Sequence, residues 1–93
     1  MLWAEAAELA SPLGPDGPPS NISWYLYGGK YVYTWDNYDS AYETQVSIDS
    51  GATVLVTKGA GVTEWNSGSP SLTPLFVVRH RQGGLFSSWA GIE

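Results

Sequence analysis

Two adjacent glycines, Gly28 and Gly29, separate two runs rich in aromatic and β-branched residues, Ile22-Ser-Trp-Tyr-Leu-Tyr27 and Lys30-Tyr-Val-Tyr-Thr-Trp35. A two-residue loop of this kind favours a primed hairpin turn, because both loop residues need positive φ and glycine adopts it without steric cost. The register that follows pairs Tyr27 with Lys30, Leu26 with Tyr31, Trp24 with Tyr33 and Ile22 with Trp35. Side chains alternate across a strand, so Ile22, Trp24, Leu26, Tyr31, Tyr33 and Trp35 share one face. That face is expected to be the inner one, with Trp24 and Trp35 largely buried. Ser23, Tyr25, Tyr27, Lys30, Val32 and Thr34 form the other.

The rest of the chain repeats the pattern in shorter pieces. Tyr42 to Asp49 alternates, with Tyr42, Thr44, Val46 and Ile48 against Glu43, Gln45, Ser47 and Asp49. Thr53 to Thr57 reads as a short buried strand, Leu75 to Arg81 as another, and Leu85 to Trp89 as the last. Turn-forming clusters lie at 36–40, 49–52 and 82–84. Residues 58–71 read as a long loop that carries Gly59, Gly61 and Gly68, with Val62 and Trp65 inside it. About six strands predict an all-β domain over residues 21–93, a small antiparallel β-sandwich or barrel.

Residues 1–20 differ in kind. Residues 1–10 are mostly good helix formers with Leu2, Ala6 and Leu9 on one stripe, and residues 11–20 hold four of the six prolines. They predict an extended N-terminal arm, a short helix followed by a Pro-rich linker. A helix of this length is marginal alone, so Leu2, Trp3, Leu9 and Leu13 are expected to bury against another chain.

Composition narrows the function. Charged residues make up 14% of the 93, where about 25% is usual. The net charge is −5 and only Lys30, Lys58, Arg79 and Arg81 are positive, which gives a phosphate backbone no footing; nucleic acid is not an expected partner. With no cysteine, a domain this small gains stability most readily by oligomerising. Glu5 and Glu8 fall where the apolar region of a signal peptide would lie, so a leader is not expected. No run approaches the ~20 apolar residues of a membrane span, and a membrane is not an expected partner.

Catalysis is poorly supplied. The single histidine, His80, lies between two arginines and shares a face with Phe76 and Val78, which predicts a packed neutral imidazole. No serine has the spacing of a nucleophile elbow. Asp36, Asp39, Glu43, Asp49 and Glu64 could supply a glycosidase pair, but so short a chain leaves little room for a cleft. Asp36, Asn37, Asp39 and Glu43 offer oxygens suited to Ca²⁺ without the spacing of an EF-hand loop, and an Asx turn accounts for the same residues. Neither a catalytic centre nor a metal or other cofactor is therefore expected. Asn21-Ile22-Ser23 fits the glycosylation acceptor pattern, and nothing else marks a secretory protein.

The aromatic residues are the strongest signal: six tyrosines and five tryptophans. Beyond those assigned to the core, Tyr25, Tyr27, Tyr38 and Trp65 join the arm residues as candidate partner-binding positions. The expected function is a non-enzymatic structural or assembly protein. Its expected setting is a virion, as a small cement protein that decorates a capsid, forms a homo-oligomer and binds copies of itself or of the capsid protein. The alternative is an extracellular carbohydrate-binding module that uses exposed aromatic rings.

Overall fold

The computed structural model describes residues 15–92. The hairpin forms about Gly28 and Gly29, whose φ values of 59° and 77° give the primed turn. It joins β1 (Ser20–Tyr27) to β2 (Lys30–Asp36). The register is the expected one from Tyr27↔Lys30 through Trp24↔Tyr33. It then slips: Ser23 faces Thr34, but the next partners are Ser20 and Asp36, so Asn21 and Ile22 together oppose Trp35. The expected Ile22–Trp35 pair is thus replaced by a β-bulge. Asn21 absorbs it at φ 50°, a left-handed conformation that asparagine tolerates better than most residues, and its Nδ2 donates to Asp36 Oδ2 at 2.6 Å.

Six further strands follow: β3 (Glu43–Ser47), β4 (Val56–Lys58), β5 (Glu64–Asn66), β6 (Val77–Gln82), β7 (Leu85–Phe86) and β8 (Ala90–Gly91). All pairings are antiparallel. They make two sheets, one ordered β1-β2-β5 and the other β4-β3-β6-β7, with β8 also pairing β6. Ile22, Tyr33 and Trp35 from the first sheet pack against Val46 and Val78 of the second and against Phe76, the residue before β6. The chain is all-β, as its alternation predicts.

Two elements depart from the expected six-strand count. Residues 58–71 are not a plain loop, because β5 pairs its Trp65 with Tyr33 of β2. Tyr31 N–H donates to Ser69 O at 2.9 Å and Trp35 N–H to Thr63 O at 3.1 Å, extending that seam at both ends. A three-residue strand is too short to show a period of two, so alternation could not reveal it. The last expected strand, Leu85 to Trp89, is cut short to β7, and β8 follows beyond it; both pair with β6.

Burial corrects three further expectations, for Trp24, for Leu26 and for the segment 53–57. Trp24 is 40% exposed and Leu26 56%, although Trp35 is 3% exposed and Tyr33 fully buried. The outer half of the hairpin reaches past the second sheet, so its nominally inner side chains meet no opposing layer. Ile48 is exposed because β3 ends at Ser47 and the chain turns away. Val54 and Leu55 are exposed too, so the segment 53–57 is not a buried strand; pairing begins only at Val56.

The turn after β3 depends on Gly51 (φ 93°), whose Cα lies under the Trp89 indole: a Cβ there would stand 2.7 Å from Nε1. Ser47 Oγ donates to Asp49 Oδ1 at 2.6 Å and accepts Gly51 N–H at 2.9 Å, while Asp49 Oδ1 also takes Thr53 N–H at 2.9 Å. These bonds, the Ser47 hydroxyl first among them, hold the Asp49 carboxyl below its ordinary pKa.

The two hairpin tryptophans should respond differently to truncation. Trp35→Ala should cost about 3–5 kcal/mol of unfolding free energy, the usual range for a buried aromatic. Trp24→Ala should cost only about 1–2 kcal/mol, in proportion to the area it buries. Urea denaturation of both variants checks this, and equal losses would contradict the placement of Trp24 outside the core.

Candidate interaction surface

The exposed half of the hairpin presents Trp24, Tyr25, Leu26 and Tyr27 in succession, at 40, 43, 56 and 71% exposure. Tyr25 and Tyr27 project from one face of the strand, Trp24 and Leu26 from the other. On its face Trp24 meets the half-buried Tyr31 edge-on, ring centroids 4.8 Å apart, which braces the two strands beyond the core. On the opposite face the Tyr25 hydroxyl lies 3.4 Å from Glu64 Oε1. Partial desolvation and the neighbouring carboxylate push that hydroxyl above its ordinary pKa.

Of the residues singled out by sequence, Tyr25 and Tyr27 are brought together here. Trp65 lies elsewhere: half-buried, it stacks on Tyr33 at 5.9 Å and on Phe76 at 6.0 Å, as a flank of the core. Tyr38 is 52% exposed, but its hydroxyl is committed, accepting Gly17 N–H at 2.5 Å and donating to Gly17 O at 2.7 Å. Leu2, Trp3, Leu9 and Leu13 lie outside the described residues. The end of the Pro-rich stretch is described and sits on its own β body, with Pro19 fully buried. Trp24 and Leu26 are the residues that alternation misplaced. Their one distinguishing sign in the sequence is nearness to the turn, where a second sheet need not follow.

The other chemistry-bearing residues are used by the fold. His80 is fully buried on the face it shares with Val78 and Phe76. Its Nδ1 is 3.1 Å from Gly17 O, which places the proton of the neutral ring on that nitrogen. The Tyr38 and Tyr42 rings lie 5.2 Å from it on two sides. His80 Nε2 and the Thr44 hydroxyl of the paired strand are buried without a hydrogen-bond partner among the described residues. Burial lowers the His80 pKa, and the Gly17 carbonyl and the Asp39 carboxylate oppose that shift only in part. Arg79 donates to Gln45 Oε1 at 2.9 Å beneath the Phe86 and Trp89 rings, and Arg81 pairs with Glu43. Asn37 Oδ1 accepts Asp39 N–H and Asp39 Oδ1 accepts Ala41 N–H, each at 2.9 Å, so the acidic turn is a pair of Asx turns. No cluster of three metal-ligating side chains occurs among the described residues. No family model, curated protein or solved structure matches the chain.

His80 makes stability depend on pH in a defined direction. Its folded pKa lies below the ~6.5 of the unfolded chain. Between the two values the unfolded state binds more protons, so stability rises with pH there. The contribution is complete above about pH 6.5 and is lost as the pH falls toward the folded value. Unfolding free energies measured between about pH 7.5 and 5, above most carboxylate titration, should decline for the natural chain and stay level for His80→Gln. Parallel profiles would show that His80 carries no such linkage.

Proposed function

We propose that the chain is a non-catalytic assembly module that docks on other protein subunits through the projecting half of its β1–β2 hairpin. The observation that carries this is four consecutive exposed side chains, three of them aromatic, covering both faces of one strand. Aromatic residues are enriched at protein interfaces, where large rigid rings bury much area and lose few rotamers. The strand also carries no charge from Ser20 to Tyr27, and charge is what interface cores lack. The setting proposed with it is the surface of a larger particle, as a virion component of the decorating kind.

A second use is favoured by one feature. Tyr25 and Tyr27 share a face with Glu64 close by, an arrangement that could stack on a sugar ring and bind its hydroxyls. It leaves Trp24 and Leu26 on the opposite face unused, and assembly accounts for both faces. Two paired variants separate these functions. Tyr25→Ser with Tyr27→Ser, and Trp24→Ser with Leu26→Ser, should each abolish co-sedimentation of the full chain with particles from the source that encodes it. Loss confined to the tyrosine pair, together with retardation of the natural chain in polysaccharide gels, would replace assembly with carbohydrate binding.

A further inference from the structure

Residues 15–19 lie against the base of the β body without joining either sheet, since β1 begins only at Ser20. Both backbone groups of Gly17 are bonded to side chains of that body. Gly17 N–H donates to the Tyr38 hydroxyl at 2.5 Å. Gly17 O accepts that hydroxyl at 2.7 Å and the Nδ1–H of His80 at 3.1 Å. Pro19, fully buried, fixes the end that runs into β1, whereas Asp16 is exposed and Pro15, Gly17 and Pro18 are half-buried.

This segment closes over a group that titrates. His80 is fully buried, with the Tyr38 and Tyr42 rings 5.2 Å away on two sides and Gly17 on a third. The neutral ring already uses its proton on Gly17 O, so a second proton must go on Nε2. Neither the Thr44 hydroxyl of the paired strand nor any other group among the described residues bonds that nitrogen. A buried, charged N–H without an acceptor costs far more than a bare lone pair. The surrounding ionisable groups do not supply one. Asp39 favours the imidazolium but only partly offsets burial, and Asp16 lies near Tyr42. Arg79, Arg81 and Glu43 project from the opposite face of the sheet, Arg79 to Gln45 and Arg81 to Glu43. The Tyr33 hydroxyl of the first sheet is taken up by Thr73 N–H, on the segment before β6.

We infer that residues 15–19 form a pH-sensitive strap: protonation of the His80 imidazole releases Gly17 and opens the strap while both sheets stay closed. Water must reach the charged ring, and the strap is the wall that yields most easily. Opening it breaks three bonds to Gly17, all made by two side chains. The other walls are built in: β3 and β6 pair along five residues, and Tyr42 is held by Asp39 O and by Gly61 N–H. The direction with pH follows from the two states of the strap. Released, His80 regains its ordinary pKa of ~6.5; beneath the strap its pKa is lower, chiefly through burial. The open state therefore binds more protons in the window below about pH 6.5. The strap is fully latched above that value and loosens as the pH falls toward the closed-state midpoint. Its opening equilibrium changes by up to about tenfold per pH unit, the slope of one linked proton.

The test uses the full chain and amide hydrogen exchange read by NMR. Exchange at Gly17, corrected for its intrinsic pH dependence, should quicken by up to about tenfold per unit as the pH falls below about 6.5. Low concentrations of urea should leave it unchanged, because a local opening exposes little surface, whereas amides of β3 and β6 open with the whole fold and should respond. In His80→Gln, which cannot charge, the Gly17 rate should not follow pH. Tyr38→Phe removes the hydroxyl that holds Gly17 and leaves the ring beside the imidazole. Coupling is reciprocal, so this variant should raise the His80 midpoint toward ~6.5 in a ring-carbon titration and quicken Gly17 exchange at neutral pH. The natural chain and Tyr38→Phe decide the matter if His80→Gln fails to fold. Three results would each overturn the inference: Gly17 exchange level across pH, Gly17 responding to urea in step with β3 and β6, or a His80 midpoint that Tyr38→Phe leaves in place.

Discussion

Tyr33 is the side chain on which the two sheets are set. It lies at the centre of β2, facing Trp24 of β1 on one side and Trp65 of β5 on the other. Its ring is fully buried and stacks on Phe76 at 4.1 Å, while Trp65 lies against its flank at 5.9 Å. A buried phenol needs a partner for its hydroxyl, and Tyr33 finds it in Thr73 N–H at 2.8 Å, on the segment leading into β6. One residue thus joins both sheets, both edges of β2 and an incoming loop. With no disulfide available, this density of contact at a single ring takes the place of a covalent staple.

The parts of this arrangement that were legible in the sequence are the local ones. The Gly28-Gly29 turn sets its own register because φ and loop length decide it, and alternation identified β3 and β6 because each carries several residues of one period. Alternation put Trp24 and Leu26 on the inner face, and the short run 53–57 read as a buried strand, yet Trp24, Leu26 and Leu55 are exposed. Period two tells which side chains share a face; it does not tell how far the opposing layer extends. The Asn21 bulge and β5 were hidden for a related reason, since a single residue or a three-residue strand has no period. Tyr38 shows a further limit. Its hydroxyl is held by Gly17, a backbone contact 21 residues away that no side-chain pattern encodes.

The far side of the second sheet has its own small cluster, and it explains why so many polar residues of β3 are buried. Gln45 and Ser47 face away from the core, yet Gln45 is 8% exposed and Ser47 fully buried. Gln45 receives Arg79 Nε and donates to Thr57 Oγ1 at 3.2 Å. The Arg79 guanidinium in turn lies 4.0 Å from the Phe86 ring and 4.5 Å from that of Trp89. The two rings and the amide stand in for part of the water that this half-buried cation has lost. Gly51 completes the layer by letting Trp89 close down on the backbone. This turns the broken strand β7–β8 into a cover for the sheet.

The base and the tip of the first hairpin are therefore different kinds of structure. At the base, Pro19, Gly17, Tyr38 and His80 tie the entering chain to the body. The tip lies the length of β1 away, about 26 Å at the usual rise per residue. Among the described residues, cross-strand contacts hold it beyond the core: the primed turn, the Trp24–Tyr31 pair, the Tyr25–Glu64 contact and the seam of β2 with residues 66–69. A two-stranded ribbon is marginal without such support. The tip is nevertheless preset in shape, because glycines in the turn meet no strain and the aromatic side chains have few rotamers to lose. Preset shape is what lowers the entropic cost of docking. A ribbon whose first strand is already extended, aromatic and free of charge would have little left to order in docking of the kind proposed.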